Sequence, residues 1–316
     1  MNPTKLPLID ADELARRLPM PRAIEALERA LRAGLDPEAD VPRTVLDTQA
    51  GQLLLMPATS TSYVGVKIAA VAPDNPARGL PRIVASYLLM DAATLCPTAL
   101  IDGSALTLLR TPAVSAVAVD HLAAADAERL VVFGAGPQAW GHVEAIRAVR
   151  PISSVGVVAR RPERTAELLE RCRTAGLPAE AVPPQAVATA DVIACCTTAR
   201  TPLFPASAVA DHAVVVAMGS HEPTAREVDS ALVAHATVIV EARTAALREA
   251  GDLLIPLRSS EVDTGVIAGN LSELVRGAVD VAPRRPRLFK GTGMAWQDLV
   301  VAAAAVEGEL GGGLGG

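Results

Sequence analysis

The sequence predicts an α/β protein in which a doubly wound parallel sheet follows a smaller region of mixed helices and strands. Apolar strands recur from residue 129 onward at intervals that leave room for crossover helices, and a glycine-rich turn follows the first strand. Before residue 125, short strands follow one another without this alternation. The chain has 316 residues, 50% of them hydrophobic, which is enough to build the cores of two domains.

The smaller region begins with a helical pattern. Between residues 11 and 34, Ile24, Leu27 and Leu31 share one stripe, and Gly34 is a suitable C-cap. Short apolar runs separated by turn residues then predict the strands of a meander or mixed sheet, at residues 41–48, 52–56, 64–72 and 83–90.

An alanine-rich stretch from residue 103 to 125 contains Pro112, which lacks the N–H that an interior helical position requires. We therefore expect two helices here, the second with Thr111 as its N-cap and Pro112 at its first position. Five apolar runs then predict parallel strands: RLVVFG, SVGVVA, DVIACC, AVVVAM and TVIV. Residues 294–309 predict a last helix.

The composition excludes several functional classes. Acidic residues number 35 and basic residues 29, so the chain lacks the basic surface that nucleic acids or anionic membranes require. No apolar run reaches the roughly 20 residues needed to span a bilayer, and acidic residues interrupt the N-terminus before a signal peptide could form. The four cysteines lack paired CxxC spacing, so we expect a cytoplasmic protein with no disulfide framework and no metal.

A glycine-rich motif stands at the end of the first parallel strand. Gly134 and Gly136, followed by Pro137, Gln138 and Ala139, fit the pattern G-x-G-x-x-A. Such a motif provides a tight turn, close approach of the backbone to a pyrophosphate, and a small residue where the helix packs on the strand. Because a strand precedes it and βα units follow it, the motif predicts a dinucleotide-binding Rossmann domain rather than a merely structural turn.

The end of the second parallel strand predicts which dinucleotide binds. There Ala159 stands where enzymes that use NAD place a carboxylate, and Arg160 and Arg161 follow it. Adjacent guanidinium groups can bind a 2′-phosphate, so we expect NADP(H) as the preferred cofactor, with NAD(H) as the alternative. The competing interpretation is that both arginines are solvated residues at the start of a helix.

Two further strand ends are expected beside the cofactor, since ligands of open parallel sheets bind at the carboxyl ends of strands. Thr197 and Thr198 end one strand, and Gly219, Ser220 and His221 follow the next. We expect these residues near the nicotinamide, with His221 as a proton relay because its ordinary pKa lies near neutrality. A histidine in such a loop is equally suited to capping the loop through hydrogen bonds.

Three basic side chains stand outside the parallel sheet: Arg43, Lys67 and Arg110. Only three of the 29 basic residues are lysines, and Lys67 lies in the apolar run VGVKIAA. A lysine there either extends to solvent from a sheet edge or meets an anion or a reacting group. Two arginines and one lysine imply a substrate that carries a carboxylate.

A set of short segments spread over nearly the whole chain carries a family resemblance. They are Gly65-x-Lys67, Asn75, Gly79-Leu80-Pro81, Leu89-Met90-Asp91, Asp102-Gly103, Leu106-Thr107, Arg110-Thr111, the glycine-rich motif, Gly219-Ser220-His221-x-Pro223, Arg226-Glu227-Val228-Asp229 and Phe289-Lys290-x-x-Gly293-x-x-x-Gln297-Asp298. In this combination the chain resembles the ornithine cyclodeaminase/mu-crystallin family. The resemblance implies a homodimer in which a discontinuous N-terminal α/β domain for dimerisation and substrate binding, residues 1–115 and 291–316, accompanies a Rossmann domain at residues 116–290.

The resemblance also implies roles for individual residues. It places a carboxylate clamp on Arg43 and Arg110 and the active-site lysine on Lys67. The other positions expected at the site are Leu54, Met56 and Asn75 for the substrate and Thr111 and Gly293 for the cofactor.

Three positions depart from true ornithine cyclodeaminases. Leu54, Ala159 and His221 stand where those enzymes carry a substrate-binding glutamate, an NAD-selecting aspartate and an aspartate that handles the second amino group. Loss of two carboxylates at the substrate removes the means of binding a cationic side chain and deprotonating it. The chain is therefore more similar to the ketimine reductases of the family.

These observations favour NADPH-dependent reduction of an imino acid, such as the cyclic ketimines pyrroline-2-carboxylate or piperideine-2-carboxylate, to the amino acid. Arg43 and Arg110 would hold the carboxylate, and Lys67 would orient the substrate and supply a proton. Three alternatives stay open: an ornithine or lysine cyclodeaminase that releases ammonia, an alanine or N-carboxyalkyl amino acid dehydrogenase, and a non-catalytic binding protein like mu-crystallin.

Overall fold

The computed structural model describes residues 6–282 and 284–310. They form two compact units. The first takes its residues from 1–30, 39–110 and 294–316, and the second from 31–38 and 111–293. One of the divisions falls inside a helix, between Arg110 and Thr111, a few residues before the boundary at residue 115 that the sequence predicts.

The strands of the first unit are β1 (Leu8–Ile9), β2 (Thr44–Thr48), β3 (Gly51–Thr59), β4 (Tyr63–Val71), β5 (Ile83–Asp91) and β6 (Pro97–Asp102). They form one sheet in the order β1-β6-β5-β4-β3-β2. β2 to β6 are an antiparallel meander, and β1 adds to β6 in parallel. The four strands expected from the apolar runs are present, and β1 and β6 extend the sheet beyond them.

Alternation along β4 separates two faces of this sheet. The register of β3, β4 and β5 puts Met56, Lys67 and Tyr87 in one row on the first face. Helix α10 (Ala295–Leu310) packs against these three strands and covers that face, because its Asp298 contacts Lys67. The next residue of β4, Ile68, points to the opposite face and is 43% exposed.

The part of the chain before residue 129 contains the helices α1 (Ala11–Arg17), α2 (Met20–Arg32) and α3 (Gly103–Leu122). The single helical segment expected over residues 11–34 is wrong in one respect, because Pro19 separates α1 from α2. Gly34 follows α2 with a φ of +102°, a conformation that glycine adopts readily.

The two helices expected on either side of Pro112 are instead one continuous helix, α3. Thr111 is therefore an interior residue and not an N-cap. A proline in a helix interior costs about 3 kcal/mol. Burial outweighs that cost, since Leu106 before the proline and Val114 and Val117 after it are completely buried. Each such side chain contributes about 1.5–3 kcal/mol, so packing along both halves keeps the helix continuous.

The strands of the second unit are β7 (Arg129–Phe133), β8 (Ser154–Val158), β9 (Ala179–Ala181), β10 (Val192–Cys195), β11 (Val214–Ala217), β12 (Thr237–Val240), β13 (Ile267–Asn270) and β14 (Arg287–Lys290). They form one sheet in the order β13-β12-β14-β11-β10-β7-β8-β9, and every neighbouring pair is parallel. The doubly wound sheet expected from the sequence is therefore confirmed. The five apolar runs all form strands, whereas β9, β13 and β14 are additions.

The helices of the second unit are α4 (Pro137–Val149), α5 (Pro162–Thr174), α6 (Ser230–His235), α7 (Arg243–Glu249), α8 (Gly251–Arg258) and α9 (Leu271–Val275). From β7 the chain proceeds to β8 and β9 on one side and then returns to β10 on the other. A switch of this kind opens a crevice at the carboxyl ends of the strands. No helix in the described part of the chain is both long and apolar enough to cross a membrane.

Candidate active site

The buried lysine of the first unit lies in a cluster of charges. Lys67 Nζ is 2.6 Å from Asp298 Oδ2, and both side chains are almost completely inaccessible to solvent. The other carboxylate oxygen, Asp298 Oδ1, accepts a hydrogen bond from Arg110 Nε at 3.3 Å. Lys67 Nζ also donates to Thr107 Oγ1 at 3.4 Å. One aspartate of α10 therefore joins the lysine of β4 to the arginine of α3.

The pKa of Lys67 is lowered to about 8, mainly by burial and then by the positive charge of Arg110. Asp298 opposes both effects, because its negative charge and its hydrogen bond favour the ammonium form. Arg43 also lowers the pKa of Lys67 through its charge, so the three predicted cations belong to one electrostatic cluster. At neutral pH the lysine is protonated, but it releases its proton more readily than an ordinary lysine does.

In this cluster Lys67 and Arg110 share one central carboxylate, that of Asp298. Arg110 Nη1 donates to Gln297 Oε1 at 3.0 Å, while its Nε faces Asp298, so α10 holds the guanidinium from one side. Its Nη2 makes no hydrogen bond within residues 6–282 and 284–310. Buried charge requires compensation, and a planar guanidinium matches a carboxylate in shape and charge. The cluster is therefore suited to binding a carboxylate.

Apolar side chains border the lysine on the same face of the sheet. Met56 lies opposite Lys67 in the register of β3 and β4, and Leu54 lies opposite Ala69. Leu54 packs with Ala69 and Ala85, and both Leu54 and Met56 are buried. The surface beside Lys67 is therefore apolar at Leu54 and Met56.

The glycine two residues before Lys67 has a steric role. A Cβ at Gly65 would lie 2.0 Å from the hydroxyl oxygen of Tyr87. Tyr87 is fully buried and pairs with Lys67 in the register of β4 and β5. Gly65 therefore leaves the space that the tyrosine ring fills beside the lysine.

Asn75 lies in the connection between β4 and β5. Its Nδ2 donates to Pro81 O at 3.0 Å, and its own carbonyl accepts from Leu80 N at 3.0 Å. Both bonds close the loop on itself. The contact with substrate that the sequence suggests for Asn75 stays a prediction.

In the second unit, the glycine-rich motif forms the turn between β7 and α4. Gly134 has a φ of +105°, and a Cβ there would meet Cys196 O at 2.5 Å, so only glycine fits. Gly136 is the N-cap of α4 without a side-chain cap, and no atom lies within 4 Å of where its Cβ would be. Pro137 occupies the first helical position, and Ala139 is completely buried. The N–H groups at the start of α4 and the open space beside Gly136 fit the pyrophosphate of a dinucleotide.

A buried histidine fixes the first turn of α4. His142 Nδ1 is 2.7 Å from the carbonyl oxygen of Gln138, and its Nε2 is 2.9 Å from Ser115 Oγ of α3. Complete burial lowers the pKa of His142 to about 4, so the imidazole is neutral. The side-chain oxygen of Gln138 is buried without a hydrogen-bond partner in the described chain.

Two adjacent guanidinium groups follow β8, where the adenosine ribose of a dinucleotide binds in such folds. Arg160 and Arg161 are both exposed, and Arg161 is the N-cap of α5. Ala159 precedes them at the position where NAD enzymes carry a carboxylate. This arrangement is compatible with a 2′-phosphate.

The predicted residues after β10 and β11 come together in the structure: Thr197, Thr198, Gly219, Ser220 and His221. The two strands are parallel neighbours in register, so the loops that follow them leave the sheet side by side. A Cβ at Gly219 would lie 2.0 Å from Thr197 O. Ser220 is buried, whereas Thr198 and His221 are exposed. The proton relay suggested for His221 stays a prediction.

The two other predicted cofactor residues have structural partners. The carbonyl oxygen of Thr111 accepts from Ser115 Oγ at 3.1 Å. Gly293 follows β14 with a φ of +79°, and its N–H donates to Glu241 Oε2 at 2.8 Å. Their contacts with a cofactor stay predictions.

Asp298 belongs to the charge cluster, but no role for it is predicted from the sequence. One signal was available, because this aspartate stands in the apolar helix AWQDLVVAAAAV, and a buried carboxylate requires a counter-charge. Its partner Lys67 is 231 residues away, so nothing local identifies the pair. Lys290 is a second case, since it is buried in the second unit with Asp252 Oδ2 at 2.9 Å.

Comparisons with known proteins agree with this arrangement. The sequence profile of the ornithine cyclodeaminase/mu-crystallin family matches residues 9–312. A Delta(1)-pyrroline-2-carboxylate reductase of Bacillus cereus is 36% identical over 271 residues, which cover 83% of each chain.

Two solved structures are similar along nearly the whole chain. The Delta(1)-pyrroline-2-carboxylate reductase of Thermococcus litoralis, in complex with NADH and L-proline, superposes with a TM-score of 0.91 at 31% identity, covering 98% of this chain and 99% of that one. An archaeal alanine dehydrogenase dimer with bound NAD has a TM-score of 0.91 at 26% identity, covering 98% of each chain.

Proposed function

Because the chain belongs to the ornithine cyclodeaminase/mu-crystallin family, we propose that it reduces Δ1-pyrroline-2-carboxylate to proline with a nicotinamide cofactor, and accepts related cyclic ketimines such as piperideine-2-carboxylate. One observation carries the proposal. In the buried cluster of Lys67, Asp298 and Arg110, a proton donor and a carboxylate-binding cation share one counter-ion. The reductases among the relatives support the choice of substrate.

In this proposal the substrate carboxylate binds Arg110 and Arg43. Arg110 is already held by Gln297 and Asp298, so little side-chain entropy is lost when the substrate binds. A charge-assisted hydrogen bond contributes about 1.5–3 kcal/mol.

Lys67 supplies the proton that the reduction requires. A nicotinamide cofactor, when bound, supplies the hydride for the imine carbon. The imine nitrogen takes a proton, and the Lys67 ammonium, with a pKa of about 8, is a stronger acid than an ordinary lysine. Asp298 holds the ammonium in its protonated form until the transfer. Solvent then supplies a new proton to the neutral amine of Lys67.

The apolar surface beside Lys67 favours a ring over a charged chain. Leu54 and Met56 can contact the methylene groups of a cyclic ketimine. The second ammonium of ornithine would instead meet like charges and the apolar side chain of Leu54. Imine reduction is therefore better supported than cyclodeamination.

The test is a set of assays on the purified protein. NADPH or NADH is incubated with Δ1-pyrroline-2-carboxylate, Δ1-piperideine-2-carboxylate or linear imino acids, and cofactor oxidation is followed at the nicotinamide absorbance band. Release of ammonia from ornithine without net cofactor consumption, or no consumption with any imine, would reject the proposal.

Lys67→Arg provides the matched variant for the proton donor. Arginine keeps the positive charge that pairs with Asp298, but a guanidinium does not release its proton near neutral pH. We expect kcat to fall by about 10²–10⁴, the usual contribution of a general acid, with KM changed far less. Unchanged turnover would assign the proton donor elsewhere.

The cofactor preference follows from the residues after β8. We expect NADPH to be preferred, because Arg160 and Arg161 can bind its 2′-phosphate and Ala159 does not repel it. Replacing both arginines by alanine should lower the ratio of kcat/KM for NADPH to that for NADH by at least about tenfold. Arg173→Ala, at an exposed arginine later in α5, is the control and should leave the ratio unchanged.

The uncovered face of the first sheet supports a homodimer. Leu46, Leu55, Ile68 and Val84 lie on this face of β2 to β5 and are between 37% and 57% exposed. A contiguous apolar face of this kind marks an interaction surface, and a related archaeal enzyme is a dimer. Ile68→Glu should shift the mass in solution, measured by light scattering, from dimer to monomer. Leu247→Glu, at a 38% exposed leucine in the second unit, should not change it.

A further inference from the structure

A buried carboxylate in the second unit joins the loops that follow β10 and β11. Glu227 lies between β11 and α6 and is completely inaccessible to solvent. Its Oε1 accepts from Thr197 N at 2.8 Å and Thr197 Oγ1 at 2.7 Å, and its Oε2 accepts from Gly219 N at 2.7 Å. Because Cys195 and Ala217 are register partners, the carboxylate bridges the two loops at the same distance beyond their strands.

This bridge requires a close approach of the two loops. A Cβ at Gly219 would lie 2.0 Å from Thr197 O and 2.4 Å from Glu227 Oε1. Backbone atoms cannot yield to such a contact as a flexible side chain would. A side chain at position 219 would therefore displace Glu227 or the loop after β10, so the bridge requires glycine at this position.

A second buried carboxylate holds Glu227 itself. Asp252 Oδ1 accepts from the N–H of Glu227 at 2.7 Å. Lys290 Nζ is 2.9 Å from Asp252 Oδ2 and donates to Ser220 O at 2.6 Å. Asp252 and Lys290 are also inaccessible to solvent. The loop after β11 is thus held at two consecutive residues, Gly219 by the glutamate and Ser220 by the lysine.

Stability alone does not account for three buried charges, because apolar side chains of similar size are often as stabilising as a buried ion pair. The network does give the two loops a fixed geometry. In doubly wound sheets a dinucleotide lies across the switch point, with its pyrophosphate at the glycine-rich turn after β7. With the adenosine ribose at the end of β8, the nicotinamide half falls at the ends of β10 and β11.

We propose that Glu227 is a positioning residue, which fixes the backbone of Thr197 and Gly219 for contact with the nicotinamide half of the cofactor, and that the Lys290–Asp252 pair holds Glu227 in place. The proposal rests on the use of a nicotinamide cofactor and does not depend on the imine substrate.

Glu227→Gln tests the bridge with almost no change in shape. All three groups that Glu227 binds on the two loops are donors, so a carboxylate satisfies them and an amide does not. One loop would face an NH2 group and lose its acceptor. Asp191→Asn is the matched control, because Asp191 also accepts two backbone N–H groups, from Glu128 and Arg129, but does so at the amino end of β7.

The experiment compares two classes of ligand, dinucleotides and adenine nucleotides. Dissociation constants are measured for NADPH and NADH by cofactor fluorescence, and for adenosine 2′,5′-bisphosphate and ADP, which lack the nicotinamide half, by calorimetry. An unsatisfied buried donor weakens an equilibrium by roughly five- to 150-fold, so we expect Glu227→Gln to weaken dinucleotide binding by about tenfold or more. Binding of the adenine nucleotide should stay within about twofold, and Asp191→Asn should change neither.

Each outcome bears on the proposal. Equal weakening of the dinucleotide and the adenine nucleotide, or no weakening of either, would overturn it. If Glu227→Gln does not fold, Glu227→Asp decides in the same comparison, because its shorter side chain keeps the charge but reaches only one loop. Failure of the wild-type protein to bind either dinucleotide would overturn the proposed function as well, whereas normal wild-type binding with an unaffected variant would overturn this inference alone.

Discussion

Replacing Asp298 by asparagine should make Lys67 a stronger acid. The substitution keeps the size of the side chain but removes the negative charge that lies 2.6 Å from Lys67 Nζ and 3.3 Å from Arg110 Nε. Burial and the charge of Arg110 lower the pKa of Lys67, and Asp298 opposes them. Without the carboxylate, that pKa moves further in the acid direction.

The hydrogen-bond energy gives the size of the shift. A hydrogen bond to a charged group contributes about 1.5–3 kcal/mol, which corresponds to roughly one to two pKa units at about 1.36 kcal/mol per unit. From the wild-type pKa of about 8, Lys67 in the variant is expected to titrate at about 6 to 7. At pH 7 the protonated form would then fall from about 90% of molecules to about half or less.

The assay is the pH dependence of kcat/KM for imine reduction. In the proposed reaction protonated Lys67 donates the proton, so activity should fall as pH rises through its pKa. The descending limb of the wild-type profile should lie near pH 8, and that of the variant about one to two units lower. The defect of the variant is therefore largest at alkaline pH and shrinks as the solution becomes acidic.

Gln297→Ala is the control for this experiment. It removes a neutral partner of Arg110 on the same helix, so KM should rise while the descending limb keeps its wild-type position. A limb that stays in place in Asp298→Asn, or moves to alkaline pH, would refute the reasoning. A loss of activity that is uniform across pH would also refute it, because it would indicate damage to packing rather than a change in the acidity of the lysine.

Three other substitutions follow from the same contacts. Arg110→Lys should raise KM for the imine by about tenfold or more in steady-state assays with a smaller effect on kcat, because an ammonium cannot bind a carboxylate with two parallel hydrogen bonds. Gly65→Ala should lower the free energy of unfolding by about 1–3 kcal/mol in urea titrations, since its Cβ would lie 2.0 Å from the Tyr87 hydroxyl oxygen. His142 is neutral in the folded protein with a pKa of about 4, so the unfolded chain takes up a proton first as pH falls below 6.5. Wild-type stability should therefore drop by up to about 3 kcal/mol more than that of His142→Gln between neutral pH and pH 4, measured by urea unfolding at each pH.

The sequence predicts those parts of the fold that rest on local patterns. Alternating apolar residues identify β3, β4 and β5, and continuous apolar runs identify the strands around the glycine-rich turn. It does not predict that α3 continues through Pro112, because the compensating burial of both helix halves arises only after the chain is folded. Nor does it predict β14, whose four residues include two basic ones, although this strand lies between β11 and β12 in the middle of the sheet.

The residues of the site also fall into two groups, those that a local pattern predicts and those that it does not. Residue type and spacing predict Lys67, Arg110 and the glycines of the dinucleotide turn, because each has a chemical property that is visible in its own segment. Asp298 and Glu227 are harder to predict, since an isolated carboxylate in a sequence has the same appearance on a surface as in a core. The apolar segment around Asp298 indicates burial but does not identify a partner. The functions of both carboxylates depend on partners brought to them by topology, at a separation of 231 residues for Asp298 and Lys67.

The two buried lysines show why composition is informative in this chain. Nearly all of its basic residues are arginines, which serve well at surfaces and as carboxylate ligands. A guanidinium is too broad to serve as a point charge and does not give up its proton, so a core position that needs either property must use lysine. At Lys290 the compact ammonium group contacts both the Asp252 carboxylate and the Ser220 carbonyl oxygen. At Lys67 burial makes the ammonium more acidic and Asp298 keeps it charged at neutral pH, and the proposed reaction uses its proton. Both require an aspartate that is itself buried, so each lysine and its aspartate must be substituted together if either is to become apolar.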